Sequence, residues 1–144
     1  MPANGYNVGR DVTLDIVDPN LGVLRFKLTT SFKHTPRYTS LSSKALDGIP
    51  RFAEIPDGHE VVFEFDRGSS LADDYFCQQE VNYFSGGQLP NVSITETITE
   101  VNGNTTQYRY TGVALSLTDG GSWKGDSIAT QSIKGMAAFK VKVA

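Results

Sequence analysis

The stretch Val92-Ser93-Ile94-Thr95-Glu96-Thr97-Ile98-Thr99, followed by Asn102-Gly103-Asn104 and then Thr105 to Leu117, decides the class of fold. Val92, Ile94 and Ile98 alternate with Ser93, Thr95, Thr97 and Thr99, the period of two that places one face of a strand in a core and the other against solvent. Asn-Gly supplies the backbone freedom a tight hairpin turn needs. The returning strand carries its own apolar row in Val113, Leu115 and Leu117. Glu96 alone interrupts the apolar row of the first strand.

On the N-terminal side the same period recurs. Val12 to Val17 alternates, and so does Val23 to Phe32, with Leu24, Phe26 and Leu28 opposed to Arg25, Lys27 and Thr29. Asp18-Pro19-Asn20 between them has turn chemistry and predicts a hairpin. Glu60 to Asp66 is a further strand, with Val61, Phe63 and Phe65 on one face, ended by Arg67-Gly68. One helix is predicted over about 70–85. Ser70 stands at its N-cap, Asp73 and Asp74 suit its positive end, Leu71, Tyr75, Phe76, Tyr83 and Phe84 follow helical spacing, and Gly86-Gly87 stops it. After Asp119-Gly120-Gly121-Ser122 a last extended stretch runs from about Ser127 to Val143, with a bend expected at Gly135. The segment 33–58 keeps neither period. Its Pro36, Pro50, Pro56, Gly48 and Gly58 predict a long inter-strand loop, and its Leu41, Leu46, Ile49, Phe52 and Ile55 argue that this loop is functional. The outcome is a mainly β chain of about six strands with one flanking helix, read as a single domain over 1–144.

Composition narrows the function. Hydrophobic residues at 39% and charged residues at 20% make a globular chain with a real core. A net charge of −3 argues against a protein that neutralises nucleic-acid phosphates. The single cysteine, Cys77, permits no intrachain disulfide and reads as a buried apolar thiol. Met1 to Arg10 has no apolar run typical of a signal peptide, and no apolar stretch is long enough to span a bilayer, so no membrane partner is expected.

Catalytic chemistry requires titratable groups in a recognisable arrangement. His34, His59, Cys77, Asp73, Asp74, Glu96 and Glu100 form no such motif, and no Gly-rich phosphate loop precedes the helix. The two histidines read as surface residues. Adjacent Asp73 and Asp74 point about 100° apart on a helix, which disfavours a shared metal ion. The reading is a non-enzyme without metal or cofactor.

Charge order says more. Between Arg25 and Arg51 stand six bases, Arg25, Lys27, Lys33, Arg37, Lys44 and Arg51, and one acid, Asp47. Between Phe52 and Glu80 stand eight acids and one base, Arg67. Two ordinary solvated faces explain this. So does a basic arm on one copy meeting an acidic surface on the next. In that second reading Arg37, Lys44, Leu46, Asp47, Ile49, Arg51 and Phe52 form the contacting loop, and Glu54, Asp57, Glu64 and Asp66 the complementary surface. Trp123 between glycines is either a packing anchor or a stacking platform for a sugar.

Tyr110-Thr111-Gly112-Val113-Ala114-Leu115, Asp119-Gly120-Gly121-Ser122-Trp123-Lys124, Gln131-Ser132-Ile133, Val141-Lys142-Val143 and the loop phrase Leu46-Asp47-Gly48-Ile49 together resemble tail tube proteins of contractile-tailed bacteriophages. The resemblance implies a tail-tube-type β-sandwich or barrel, six copies per ring, and rings stacked into a hollow tube that conducts DNA. It also implies a sheath, baseplate and tail terminator as partners, assembly in the bacterial host cytoplasm, and final residence in the virion tail. On that footing the long loop reaches the adjacent ring, and Ser93, Thr95, Thr97 and Thr99 face the lumen. The alternative is a small carbohydrate- or receptor-binding β-domain using Trp123 and the tyrosines.

Overall fold

The computed structural model describes residues 5–6, 12–19, 22–25, 29–89 and 91–143. Asn20 of the first predicted turn, Phe26, Lys27 and Leu28 of the second predicted strand, and most of Met1 to Arg10 lie outside the described residues. Eight strands and one helix follow in order: β1 (Val12–Asp18), β2 (Gly22–Leu24), β3 (Thr29–Lys44), β4 (Pro50–Asp66), α1 (Leu71–Phe84), β5 (Val92–Thr99), β6 (Thr105–Asp119), β7 (Thr130–Ala137) and β8 (Phe139–Lys142). The strands pair antiparallel in the order β2-β1-β5-β6-β7-β4-β3, with β8 also on β6.

The predicted β5–β6 hairpin forms as read, closed by the Gly103 amide donating to the Glu100 carbonyl at 3.0 Å. The first predicted hairpin is shorter than expected. Among the described residues Gly22–Leu24 returns along β1, and the chain from Thr29 onward pairs with Phe65 and its neighbours on β4, at the other end of the strand order. The last predicted strand also divides, into β7 and β8, which accounts for eight strands rather than about six. The division falls at Ala138 rather than at Gly135. Gly135 stays in the ladder because a Cβ there would lie 2.9 Å from Val61 Cγ2 and 3.0 Å from Leu115 and Val113 side-chain atoms. The bend is placed instead by Gly112, which occupies a bulge on β6 at φ 64°, a conformation that favours glycine, opposite Ala138.

The sheet folds over on itself around one core of Ile16, Val61, Phe63, Phe65, Val92, Ile94, Tyr110, Val113 and Ile133. Phe32 of β3 lies 6.4 Å, ring to ring, from Tyr110 of β6, and Leu14, Ile16 and Ile94 line one small cavity with Phe32 and Phe63. Glu96 breaks the apolar row of β5 and is nonetheless buried, because the Tyr110 hydroxyl donates to it at 3.2 Å.

Helix α1 closes the end of this sandwich where β1, β4 and β6 finish and β7 begins. Its buried residues are Ala72 and Tyr75, and the Tyr75 hydroxyl donates to Asp18 at 2.8 Å. Gln131 at the start of β7 donates to Asp73 at 2.9 Å. Burying one aromatic side chain of this kind contributes roughly 1.5–3 kcal/mol. Ser70 is the N-cap residue, but its hydroxyl donates to Asp74 rather than accepting a helix amide. The C-terminus is closed as read, with the Gly86 and Gly87 amides on the carbonyls of Tyr83 and Asn82. Cys77 is exposed, contrary to the reading of a buried thiol. Two positions beyond Tyr75 it lies about 200° round the helix from the buried stripe. Tyr83 and Phe84 are exposed as well.

Candidate assembly surface

The segment 33–58 is not a loop. It is the outer part of a long β3–β4 hairpin, paired from Thr29↔Phe65 to Lys44↔Pro50 around a short tip. Beyond His59, which pairs with Ala137, β4 has β3 as its one paired strand among the described residues, so the hairpin leaves the sheet as a two-stranded ribbon. From the Pro36↔His59 pair to the tip is eight residue steps, about 27 Å of projection. Every residue from Thr35 to Asp57 is exposed. A ribbon exposed on both faces has no reason to alternate, and proline is tolerated on strands with a free edge. These two facts hide the ribbon from a reading based on period.

The direction of the arm is fixed at its root. Asp57 and Gly58 stand opposite the single residue Arg37, a bulge between the Pro36 and Tyr38 pairs. Gly58 adopts φ 89°, and a Cβ there would sit 2.9 Å from the Ala137 carbonyl oxygen. Glu60 accepts hydrogen bonds from Arg37 and from Lys134, which hold its carboxyl below the usual carboxylate range. On the other face of the root His34 Nε2 and His59 Nδ1 are 2.8 Å apart, and both rings pack on Tyr110. Burial first, then the nearby Lys140 charge, lowers both histidine pKa values. The histidines are thus partners at the arm root rather than separate surface groups. Their 25-residue separation becomes a contact only once the β3–β4 register is known.

The tip is ordered by its own sequence. The Gly48 amide donates to the Ala45 carbonyl at 3.0 Å, and the Ile49 amide donates to Asp47 at 3.0 Å. That amide, and then Arg51 at 3.0 Å, lower the Asp47 pKa. Around this turn Leu46, Ile49 and Phe52 point into solvent, and further down the ribbon so do Tyr38, Leu41 and Ile55. All seven residues of the predicted contact loop therefore lie on one arm. The four acids predicted to complement it do not form one patch. Glu54 and Asp57 are on the arm, the Ser40 hydroxyl donating to the Glu54 carboxylate with both oxygens at 2.8 Å, while Glu64 and Asp66 lie on the body at the far end of β4. Arg37 and Arg51 have carboxylate partners within the chain.

Ser93, Thr95, Thr97 and Thr99 share the face of β5 turned away from the core. Their cross-strand neighbours are Thr13, Asp15 and Val17 on β1 and Thr105, Gln107 and Arg109 on β6. Gln107 donates to Thr97 at 3.3 Å, and Asp15 is paired with Arg25 at 2.7 Å. The result is a surface rich in hydroxyls that also carries Gln107, Val17, the Asp15–Arg25 pair and Arg109.

Trp123 is 75% exposed, with the Arg67 guanidinium 5.2 Å from its ring centre. Among the described residues no three His, Cys, Asp or Glu side chains converge as a metal site would require, and no helix is long and apolar enough to cross a membrane.

No protein-family model matches the chain, and no curated protein matches it. Solved structures do. A chain of the extracellular contractile injection system PVC sheath–tube complex in its extended state superposes with a TM-score of 0.62 at 15% identity, over 92% of this chain and 88% of that one. A chain of the PVC sheath/tube terminator in the extended state gives 0.65 at 15% identity, over 99% and 100%. A chain from the tail of an empty gene transfer agent particle, refined with C6 symmetry, gives 0.59 at 11% identity, over 96% and 100%. The chain is similar in fold to components of contractile injection systems and phage-like tails.

Proposed function

We propose that the chain is a non-enzymatic structural subunit of the inner tube of a phage-like tail, assembling as six-membered rings that stack into a hollow conduit for DNA. The observation that carries this reading is the arm. An isolated two-stranded ribbon is marginal in water, and this one exposes Tyr38, Leu41, Leu46, Ile49, Phe52 and Ile55 along its length. Such a patch is a surface awaiting a partner. Chains of this fold occur in sheath–tube, terminator and baseplate assemblies, which supports as partners further copies of the same chain with a sheath, baseplate and terminator around them.

The polar face of Ser93, Thr95, Thr97 and Thr99 suits a lumen. Dense Lys and Arg would retain DNA in transit through counterion release, whereas hydroxyls leave it free to move. Joining β-sheets of neighbouring copies into one barrel would also cover β2 and β3, which end the strand order among the described residues. Sedimentation velocity over a concentration series tests the role of the arm. The intact chain is expected to pass from monomer to large particles, and a variant lacking 40–55 to remain a folded monomer. Large particles from the deletion variant would refute the arm's role.

A further inference from the structure

Besides the arm, the chain has a second exposed apolar feature. Where α1 ends, Phe76, Tyr83, Phe84, Leu89 and Leu117 line an open groove of about 350 Å³ with Glu80 at its rim. Phe84 is 82% exposed. A cavity of about 150 Å³ accommodates a benzene ring, so the groove has room for two side chains of the size carried at the arm tip.

Its charge is one-sided. Of the residues that line it, Glu80 is the one with a charge. The last turn of α1 has no basic residue, so the partial negative charge of its C-terminus adds to that of Glu80. The arm tip has the opposite character. Lys44 and Arg51 flank Leu46, Ile49 and Phe52, and Asp47 is the single acid among them. Among the described residues neither Lys44 nor Glu80 has an ion-pair partner.

The two features cannot meet within one chain. The tip precedes β4 and α1 follows it, at opposite ends of a 17-residue strand about 50 Å long. We infer that the arm tip of one copy docks into the α1 groove of another, seating Leu46, Ile49 and Phe52 against Phe76, Tyr83, Phe84 and Leu117 with Lys44 beside Glu80. This rests on the tube-subunit reading and specifies its contact. Because the two surfaces differ and lie at opposite ends of the molecule, the contact is head-to-tail. Contacts of that kind propagate into rings or filaments rather than stopping at a dimer.

The test uses the full chain with Cys77→Ser, adding Ile49→Cys and Phe84→Cys. Concentrated and mildly oxidised, the double variant is expected to give a ladder of covalent oligomers on a denaturing gel without reductant, while a mixture of the two single variants gives a dimer band and no ladder. Large particles that contain no 49–84 crosslink would overturn the docking site and leave the tube reading standing. A chain that stays monomeric at every concentration would overturn both. Charge exchange reads the same contact without cysteine. Glu80→Lys is expected to raise the concentration needed for assembly about tenfold, and Lys44→Glu added to it to restore assembly. Absence of that restoration would contradict the pairing of Lys44 with Glu80.

Discussion

The two halves of the β3–β4 hairpin make an instructive contrast. In the inner half, β4 runs between β3 and β7, and Val61, Phe63 and Phe65 alternate into the core. In the outer half the same two strands continue their ladder, yet every residue from Thr35 to Asp57 is exposed. Backbone hydrogen bonding is shared by both halves, but burial is confined to one. The inner half therefore contributes to the stability of the monomer, and the outer half leaves its apolar side chains available to another molecule.

The largest effect should come from the inner half. Phe63→Ala is expected to cost about 3–5 kcal/mol, read as a lower urea midpoint by circular dichroism, because it opens a cavity among Phe32, Phe65 and its other neighbours. A loss below 1 kcal/mol would erase the contrast. At the junction, Gly58→Ala is expected to cost roughly 1–3 kcal/mol from its positive φ, with the added Cβ also pressed against the Ala137 carbonyl. Assembly should suffer more than stability, since the bulge sets the direction of the arm. Unimpaired particle formation would show that the direction is not important. Gly135→Ala is expected to cost a similar 1–3 kcal/mol by overpacking against Val61, Leu115 and Val113.

The smallest effect on the monomer should come from the outer half. Phe52→Ala is expected to change the urea midpoint by less than about 0.5 kcal/mol in ΔG while abolishing large particles. A clear loss of monomer stability would mean that the arm folds against its own body. The junction should also respond to pH. Both histidines have folded-state pKa values below the ordinary value of about 6.5. Their contribution is fully present above that value and is lost as pH falls through the lowered folded values, since the unfolded chain binds the extra protons first. Lys140 adds repulsion in the same direction, while Glu96, which accepts from Tyr110, is the acid on that face. Amide protection on either side of the arm root, corrected for the intrinsic exchange rate, should therefore fall on acidification below the ordinary histidine value, and His59→Gln should flatten that dependence.

Sequence made the parts with a buried face legible. The β5–β6 hairpin and the Val61-Phe63-Phe65 strand carry a period set by burial on one side, and α1 is bracketed by its first-turn acids and by Gly86-Gly87. The arm carried none, and Pro36, Pro50 and Pro56 counted against a strand because a free edge could not be inferred without the topology. Residues on the arm could still be singled out, since Leu46, Ile49 and Phe52 beside Lys44 and Arg51 are unusual company for a plain loop. The four acids of the complementary surface are spread along β4. Order along the chain grouped Glu54 with Asp66, whereas one extended strand holds them twelve residues apart. The His34–His59 contact and the groove beside Phe84 depend on register and on how α1 meets β6, which residue order does not contain.

The most direct test of the tube role is negative-stain electron microscopy of the concentrated, purified chain with no other component present. Hollow tubes or six-fold rings of uniform diameter are the predicted result. A field of uniform small monomers at the highest attainable concentration would contradict it.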